Sequence, residues 1–286
     1  MMLREGVKKM QRNLQAIRAW SCAAVILIAG LVSVPAVQAA DAAAFGKDYV
    51  PTVLITGSNR GIGLEFVKEY AQRGWHVIAT ARKPAGADDL NALAAANDKI
   101  VVEQLDVTDF DRVDRLAAQY ADTPIDLLLL NAGITATKEQ QKFTQMQFDR
   151  FADVLLVNTI APLKIAESFY PNVRASRDRK IVAVSSSQGS IGSTKRPRLY
   201  FYRSSKAALN MEMYNLALEL KPEGISVGLV NPGPTDTRMM AGLPKQFRKF
   251  LRPVDVAVAD MIRNIDGLTV ETTGSFYHYD GTILPW

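Results

Sequence analysis

From Pro51 onward, short runs of apolar residues alternate with longer stretches in which apolar positions recur every three or four residues. The short runs predict strands near 52–56, 76–80, 100–104, 125–130, 180–185, 225–230 and 275–279. The longer stretches predict helices near 62–73, 87–96, 109–120, 146–170 and 203–220, the last stopped by Lys221-Pro222-Glu223-Gly224. Strands that are apolar throughout, each followed by an amphipathic helix, are the pattern of a parallel sheet covered on both faces. No repeat of solenoid length and no long polar tract divides the stretch 50–286, so a single α/β domain with a doubly wound sheet is the economical reading.

The first 39 residues follow another pattern. Lys8, Lys9, Arg12 and Arg18 precede an apolar stretch from Ala23 to Val37, and Val37-Gln38-Ala39 supplies the small residues at which a signal peptidase cuts. That stretch is shorter than the roughly 20 residues a spanning helix needs, and Pro35 interrupts its end. A cleaved secretory signal peptide, and hence an exported or periplasmic protein, is the first expectation. A retained N-terminal membrane anchor and a start at Met10, which gives a more ordinary n-region, are the rivals, with a membrane-anchored or cytoplasmic location as the alternatives. There is no adjacent arginine pair before the apolar run, and Cys22, the only cysteine, precedes it and is not placed to carry a lipid.

Charge narrows the partners. The formal net charge is +5, but the leader holds five of the basic residues and one acid, so the body is nearly neutral. Nothing in it argues for nucleic acid, and membrane attachment is expected only through the N-terminal segment. His76 and His278 are isolated, which indicates no metal site.

The chemistry begins at Thr56-Gly57-Ser58-Asn59-Arg60-Gly61-Ile62-Gly63, directly after the apolar run Val53-Leu54-Ile55. Glycines between a buried strand and a helix start let the backbone approach a pyrophosphate, and the helix presents free N–H groups and a positive dipole end to it. The second strand ends Ala79-Thr80-Ala81-Arg82-Lys83, with no acid to hold ribose hydroxyls. Arg82, helped by Arg60 in the turn, suits a 2′-phosphate, so the cofactor expected is NADP(H) rather than NAD(H). A solvated basic pair is the plain alternative. Tyr202 and Lys206, four apart at the start of the predicted helix 203–220, bring an ammonium over the turn that carries a phenol.

With these pieces the sequence resembles the short-chain dehydrogenase/reductase family over Thr52 to Trp286. The likeness is carried by Thr56 to Gly63, Leu105-Asp106-Val107, Asn131-Ala132-Gly133, Asn158 in Val157-Asn158-Thr159, the cluster Ser185-Ser186-Ser187-Gln188-Gly189, Tyr202-x-x-x-Lys206 and Asn231-Pro232-Gly233. Phe276-Tyr277-His278-Tyr279-Asp280-Gly281 and the residues following Tyr202 look most like the C-factor-like and sniffer-like carbonyl reductase branch.

The resemblance implies a Rossmann-type fold and a reductase of small aldehydes or ketones, in which Tyr202 exchanges a proton with the carbonyl oxygen. A phenol with pKa near 10 must come down about 3 units to work at neutral pH, roughly 4 kcal/mol. One cation about 4 Å away supplies about that much at an effective dielectric of 20, the role expected of Lys206. Ser186 is expected to hold the carbonyl oxygen, and Asn158 a water that returns protons to Lys206. The resemblance further places Gly57, Ser58, Asn59, Arg60, Gly61, Ile62, Gly63, Arg82, Asp106, Val107, Asn131, Ala132, Gly133, Pro232, Gly233, Thr235 and Thr237, with Tyr202 and Lys206, against the cofactor.

The pattern departs from the family at Leu130, where Asn is frequent, and at Thr235, where Ile or Val is usual. The loop before Tyr202 is long and includes Lys195-Arg196-Pro197-Arg198, charges that suit an anionic substrate or form a solvated loop. Met239, Met240, Phe247, Phe250 and Leu251 suit either an adaptable cover over a substrate cleft or ordinary packing. A catalytically silent cofactor-binding sensor or scaffold is the rival from another class, and the intact tyrosine, lysine, serine and asparagine argue against it. An extended-branch epimerase or dehydratase is disfavoured by the glycine spacing and the short stretch after Gly233. The family commonly pairs along helices such as 146–170 and 203–220, which implies a homodimer or homotetramer. An exported reductase meets a difficulty, since NADPH has no default source outside the cytoplasm.

Overall fold

The computed structural model describes residues 45–286, so the leader and its proposed cleavage site lie outside the described residues. Seven parallel strands form one sheet in the order β3-β2-β1-β4-β5-β6-β7. They are β1 (Thr52–Ile55), β2 (His76–Ala81), β3 (Ile100–Gln104), β4 (Leu127–Leu130), β5 (Lys180–Val184), β6 (Ser226–Asn231) and β7 (Phe276–His278). The helices are α1 (Gly61–Gln72), α2 (Asp88–Ala96), α3 (Phe110–Gln119), α4 (Phe148–Leu155), α5 (Ala161–Arg174), α6 (Tyr200–Leu220), the single turn α7 (Lys245–Arg248) and α8 (Val254–Asp266). The sheet is of Rossmann type.

Alternation along the central strands divides the core in two. Val53, Ile55, Leu127, Leu129, Val182 and Val184 point to the face that Phe66, Val67 and Tyr70 of α1 share with Val258, Met261 and Ile262 of α8. Leu54, Leu128, Leu130, Ile181 and Ala183 point to the other face, against Ile165 and Phe169 of α5 and Leu209 and Met213 of α6. Burial on both faces is why these strands are apolar at every position.

Three expectations about helices need correction. The stretch expected as one helix over 146–170 is α4 and α5 joined by a π-helical turn, Leu156–Ile160, and it runs on to Arg174 past the internal Pro171. Helix α6 begins at Tyr200 rather than 203, from Leu199 in the left-handed region at φ 53°. Helix α8 was not anticipated, because Val254-Asp255-Val256-Ala257-Val258 alternates like a strand. Its buried positions Ala257, Val258, Met261, Ile262 and Ile265 nonetheless recur at helical spacing.

The strand order reverses between β1 and β4, with β2 and β3 on one side and β5 to β7 on the other. A crevice opens outside the carboxyl ends of the strands at such a switch point. The glycine turn and the segments after β4, β5 and β6 all leave the sheet at that edge.

Candidate active site at the carboxyl edge of the sheet

The glycine turn is built by close backbone contacts. Thr56 Oγ1 accepts from the backbone N–H groups of both Asn131 and Ala132, at 2.9 and 3.0 Å, and Asn131 Nδ2 donates to the carbonyls of Thr56 and Gly57. The turn after β1 is thereby tied to the segment after β4. A Cβ on Gly63 would lie 2.3 Å from the Gly57 carbonyl oxygen and 2.6 Å from Asn131 Nδ2, so the helix can approach this closely only with glycine there. No side chain caps the start of α1 and its first turn holds no acid, which leaves its N–H groups to an anion.

The members of the turn play unequal parts. Ser58 is buried, its hydroxyl donating to the Ile55 carbonyl and its N–H to Thr80, so it shapes the turn from within. Ile62 packs on the core, whereas Arg60, Arg82 and Lys83 are exposed and form no ion pair with the described residues. Asp106 Oδ1 accepts from the N–H and hydroxyl of Thr108, and Val107 is buried beside it. These residues fit an adenosine phosphate: a backbone cradle with open N–H donors, two arginines not neutralised by acids, and no acid where a 2′-phosphate would lie.

Tyr202 and Lys206 lie in the first two turns of α6, facing the end of β5. Lys206 is 4% exposed; its Nζ donates to the Val184 carbonyl at 2.8 Å and stands 6.0 Å from the centroid of the Tyr202 ring. Burial pushes its pKa down to about 8. Burial also pushes the Tyr202 phenol above its ordinary value, while a hydrogen bond with Ser186 pulls it back. Desolvation, which sequence spacing does not carry, is the larger of these two influences on the phenol.

Ser186 begins a short 3₁₀ turn, Ser187–Gly189, and its Oγ accepts from Gln188 N–H at 3.2 Å. Ser185 is instead turned inward to Asn210 at 2.6 Å, leaving Ser186 as the serine that meets the phenol. The 3₁₀ turn lies hard against α6: a Cβ on Gly189 would lie 2.7 Å from the Lys206 carbonyl carbon.

Asn158 is completely buried in the π-helical turn. Its Oδ1 accepts from Ile134 N–H at 2.8 Å, while Nδ2 donates to the Ile134 carbonyl and to Ser205 Oγ. Both amide hydrogens are engaged, so the side chain braces the segment after β4 against α6. Gly133 lies between this amide and the lysine: a Cβ there would be 3.4 Å from Asn158 Oδ1 and 3.8 Å from Lys206 Nζ. Ser205, between the tyrosine and the lysine, is a member of this network that the motif left unmarked. Thr159 Oγ1 adds a bond to the Ser205 carbonyl.

The segment after β6 closes the crevice. Thr237 comes within reach of the glycine turn, its Cγ2 3.6 Å from the position of a Cβ on Gly61, and Thr235 is buried with its hydroxyl on the carbonyls of Pro232 and Gly233. Arg252 was not singled out in the sequence, yet it holds this segment together. It donates to the Pro232 carbonyl at 2.9 Å, pairs with Asp260 and lies 3.8 Å over the Tyr279 ring. Among the candidates for a cover, Met239, Phe247 and Phe250 are exposed and Leu251 is partly buried.

The short chain dehydrogenase family model matches residues 51–247. A 1-hydroxy-2-glutathionyl-2-methyl-3-butene dehydrogenase of Rhodococcus is 35% identical over 82% of this chain and 99% of its own length. Among solved structures, the NADPH-bound carbonyl reductase from chicken fatty liver is 30% identical, with a TM-score of 0.77 over 83% of this chain and 99% of its own. The carbonyl reductase Sniffer of D. melanogaster is 29% identical, with a TM-score of 0.75 over 83% of this chain and all of its own.

Proposed function

The chain belongs to the short-chain dehydrogenase family of oxidoreductases, and from that premise we propose that it is an NADP(H)-dependent reductase of small aldehydes and ketones. The observation that carries the reading is the convergence of Tyr202, Lys206, Ser186 and Asn158 at the switch point of the sheet, beside an uncapped helix start. NADP(H) is favoured by Arg82 and Arg60 in the absence of an acid after β2, and by the NADPH in the chicken carbonyl reductase.

The turn 57–63, Arg82, Asp106 and the segments 131–133 and 232–237 would hold NADP(H), which would supply the hydride that a carbonyl carbon accepts. Ser186 donates a hydrogen bond to the carbonyl oxygen and sets it beside the Tyr202 hydroxyl. Tyr202 delivers its proton to that oxygen as negative charge develops there, and the resulting phenolate is stabilised by the neighbouring ammonium. Lys206 has two further N–H groups beyond the one on Val184, enough to reach a ribose hydroxyl and to return a proton toward the phenolate. Asn158 is a positioning residue that fixes Ile134 and Ser205 around this lysine.

The purified body is expected to oxidise NADPH in the presence of small aldehydes or diketones. Tyr202→Phe is expected to lose at least about a hundredfold in kcat with cofactor affinity retained, the range of a lost general acid. Turnover equal to that of the parent chain would remove Tyr202 as the proton donor.

A further inference from the structure

Charge is unevenly divided over this nearly neutral body. Residues 185–211, after β5, hold no acid, while Lys195, Arg196, Arg198, Arg203 and Lys206 fall inside that stretch. Residues 236–250 add Arg238, Lys245, Arg248 and Lys249 against one acid, Asp236. These two segments thus hold nine basic residues and one acid, whereas the rest of the chain from Asp41 has 20 basic residues and 27 acids. Both segments follow neighbouring strands, β5 and β6, at their carboxyl ends, so they flank the crevice that Tyr202 faces.

The basic residues of the first segment are also tied to the reacting group. Arg203, one residue after Tyr202, grips Gln188 Oε1 through Nε at 3.0 Å and through a terminal nitrogen at 2.9 Å, and Gln188 N–H in turn donates to Ser186 Oγ. Its remaining terminal nitrogen donates to the Arg196 carbonyl at 2.6 Å, fixing the basic loop. Arg198 stands close enough to repel Arg203, and among the described residues neither has an acid as partner. Lys195, Arg196 and Arg198 are exposed. Like charges gathered at one cleft, with the compensating acids elsewhere, focus a positive potential into it.

We infer that the substrate is a carbonyl compound bearing an anionic group, a carboxylate or phosphate, which the basic loop 195–198 and Arg203 receive while the carbonyl meets Ser186 and Tyr202. This rests on the reductase reading and names the substrate class for that site.

One carbonyl with and without the charge tests it: para-carboxybenzaldehyde, an anion at neutral pH, against its methyl ester, with the full chain and NADPH. The acid is expected to be favoured about tenfold in kcat/KM at low salt, with the preference shrinking toward unity at about 0.5 M salt. Lys195→Glu with Arg198→Glu is expected to abolish the preference while leaving ester turnover and the KM for NADPH unchanged. Equal use of acid and ester by the parent chain, or a preference that the double variant keeps, overturns the inference. So does a KM for NADPH that rises as much as the acid's, since the field then serves the cofactor. If neither aldehyde is reduced, the reductase reading fails for these compounds, and calorimetry with terephthalate decides the anion site separately. Binding weakened about fivefold or more by the double variant supports the site, and binding absent or equal in the two proteins overturns it.

Discussion

Lys206 is where function and stability pull apart most clearly. Its ammonium lies buried with one carbonyl as hydrogen-bond partner among the described residues, and its pKa falls to about 8. An unfolded lysine titrates near 10.4. Between those values the unfolded chain binds more protons than the folded one, so folding gains stability as pH rises through the window, and below it the full burial penalty stands. Lys206→Met is therefore expected to abolish turnover yet stabilise the fold at pH 7 by about 1–2 kcal/mol, the penalty less the lost bond to Val184. In urea melts the advantage should disappear as pH approaches that of free lysine. A variant less stable at every pH would show that the ammonium is not held against a desolvation penalty. The identity of this lysine was legible because a four-residue spacing on a helix is local. The raised phenol and lowered ammonium were not, because burial comes from α6, β5 and the 3₁₀ turn closing together around residues remote in the chain.

Among the elements, the seven strands were legible to within about two residues because continuous apolar runs bounded by turn residues admit few other readings. The helix over α4 and α5 was misjudged at its middle, where the π-helical turn turns Asn158 inward. Such a turn is set by the tertiary partners Ile134 and Ser205 rather than by local propensity. Helix α8 is masked in the sequence by a strand-like alternation, and with it the anchor of the covering segment. Arg252 stands just before α8, reaching the Pro232 carbonyl, the Asp260 carboxylate and the Tyr279 ring, while its backbone pairs with Pro234 and Asp236. Removing this guanidinium leaves Asp260 with Arg263 alone and frees the segment that leads to Thr237. Arg252→Ala is expected to raise the KM for NADPH about tenfold with kcat reduced much less, since the loss is of a cofactor contact rather than a proton donor. Arg252→Lys, which cannot reproduce the planar stack and fork, should recover only part of it. Unchanged cofactor KM in both variants would show that the segment keeps its place without this clasp.

At the scale of the whole molecule, the end of the chain is joined to the loop that precedes Tyr202. The Trp286 carbonyl accepts from Gly192 N–H at 2.8 Å, and its indole stacks on Phe276 at 5.8 Å and meets Tyr214 at 5.3 Å. The last strand, helix α6 and the basic loop are thus drawn together by one terminal residue, although the loop's residues 191–198 are all exposed. Aromatic pairs of this kind contribute about 0.5–1.5 kcal/mol each beyond their burial, enough to hold a loop that has little core of its own. Deleting Pro285 and Trp286 keeps the bond from Leu284 N–H to the Phe276 carbonyl, so the strand should persist while the loop opens. Trypsin reports that opening directly, since the bonds after Lys195 and Arg198 are its targets whereas Arg196 is shielded by Pro197. Cleavage there is expected to quicken about fivefold in the shortened chain, with the carbonyl KM rising and the NADPH KM unchanged, because the loop opens as a local unit. An equal cleavage rate would show that the loop is held without Trp286, by Arg203 through the Arg196 carbonyl and by the bonds from Ser193 and Thr194 to Ser190.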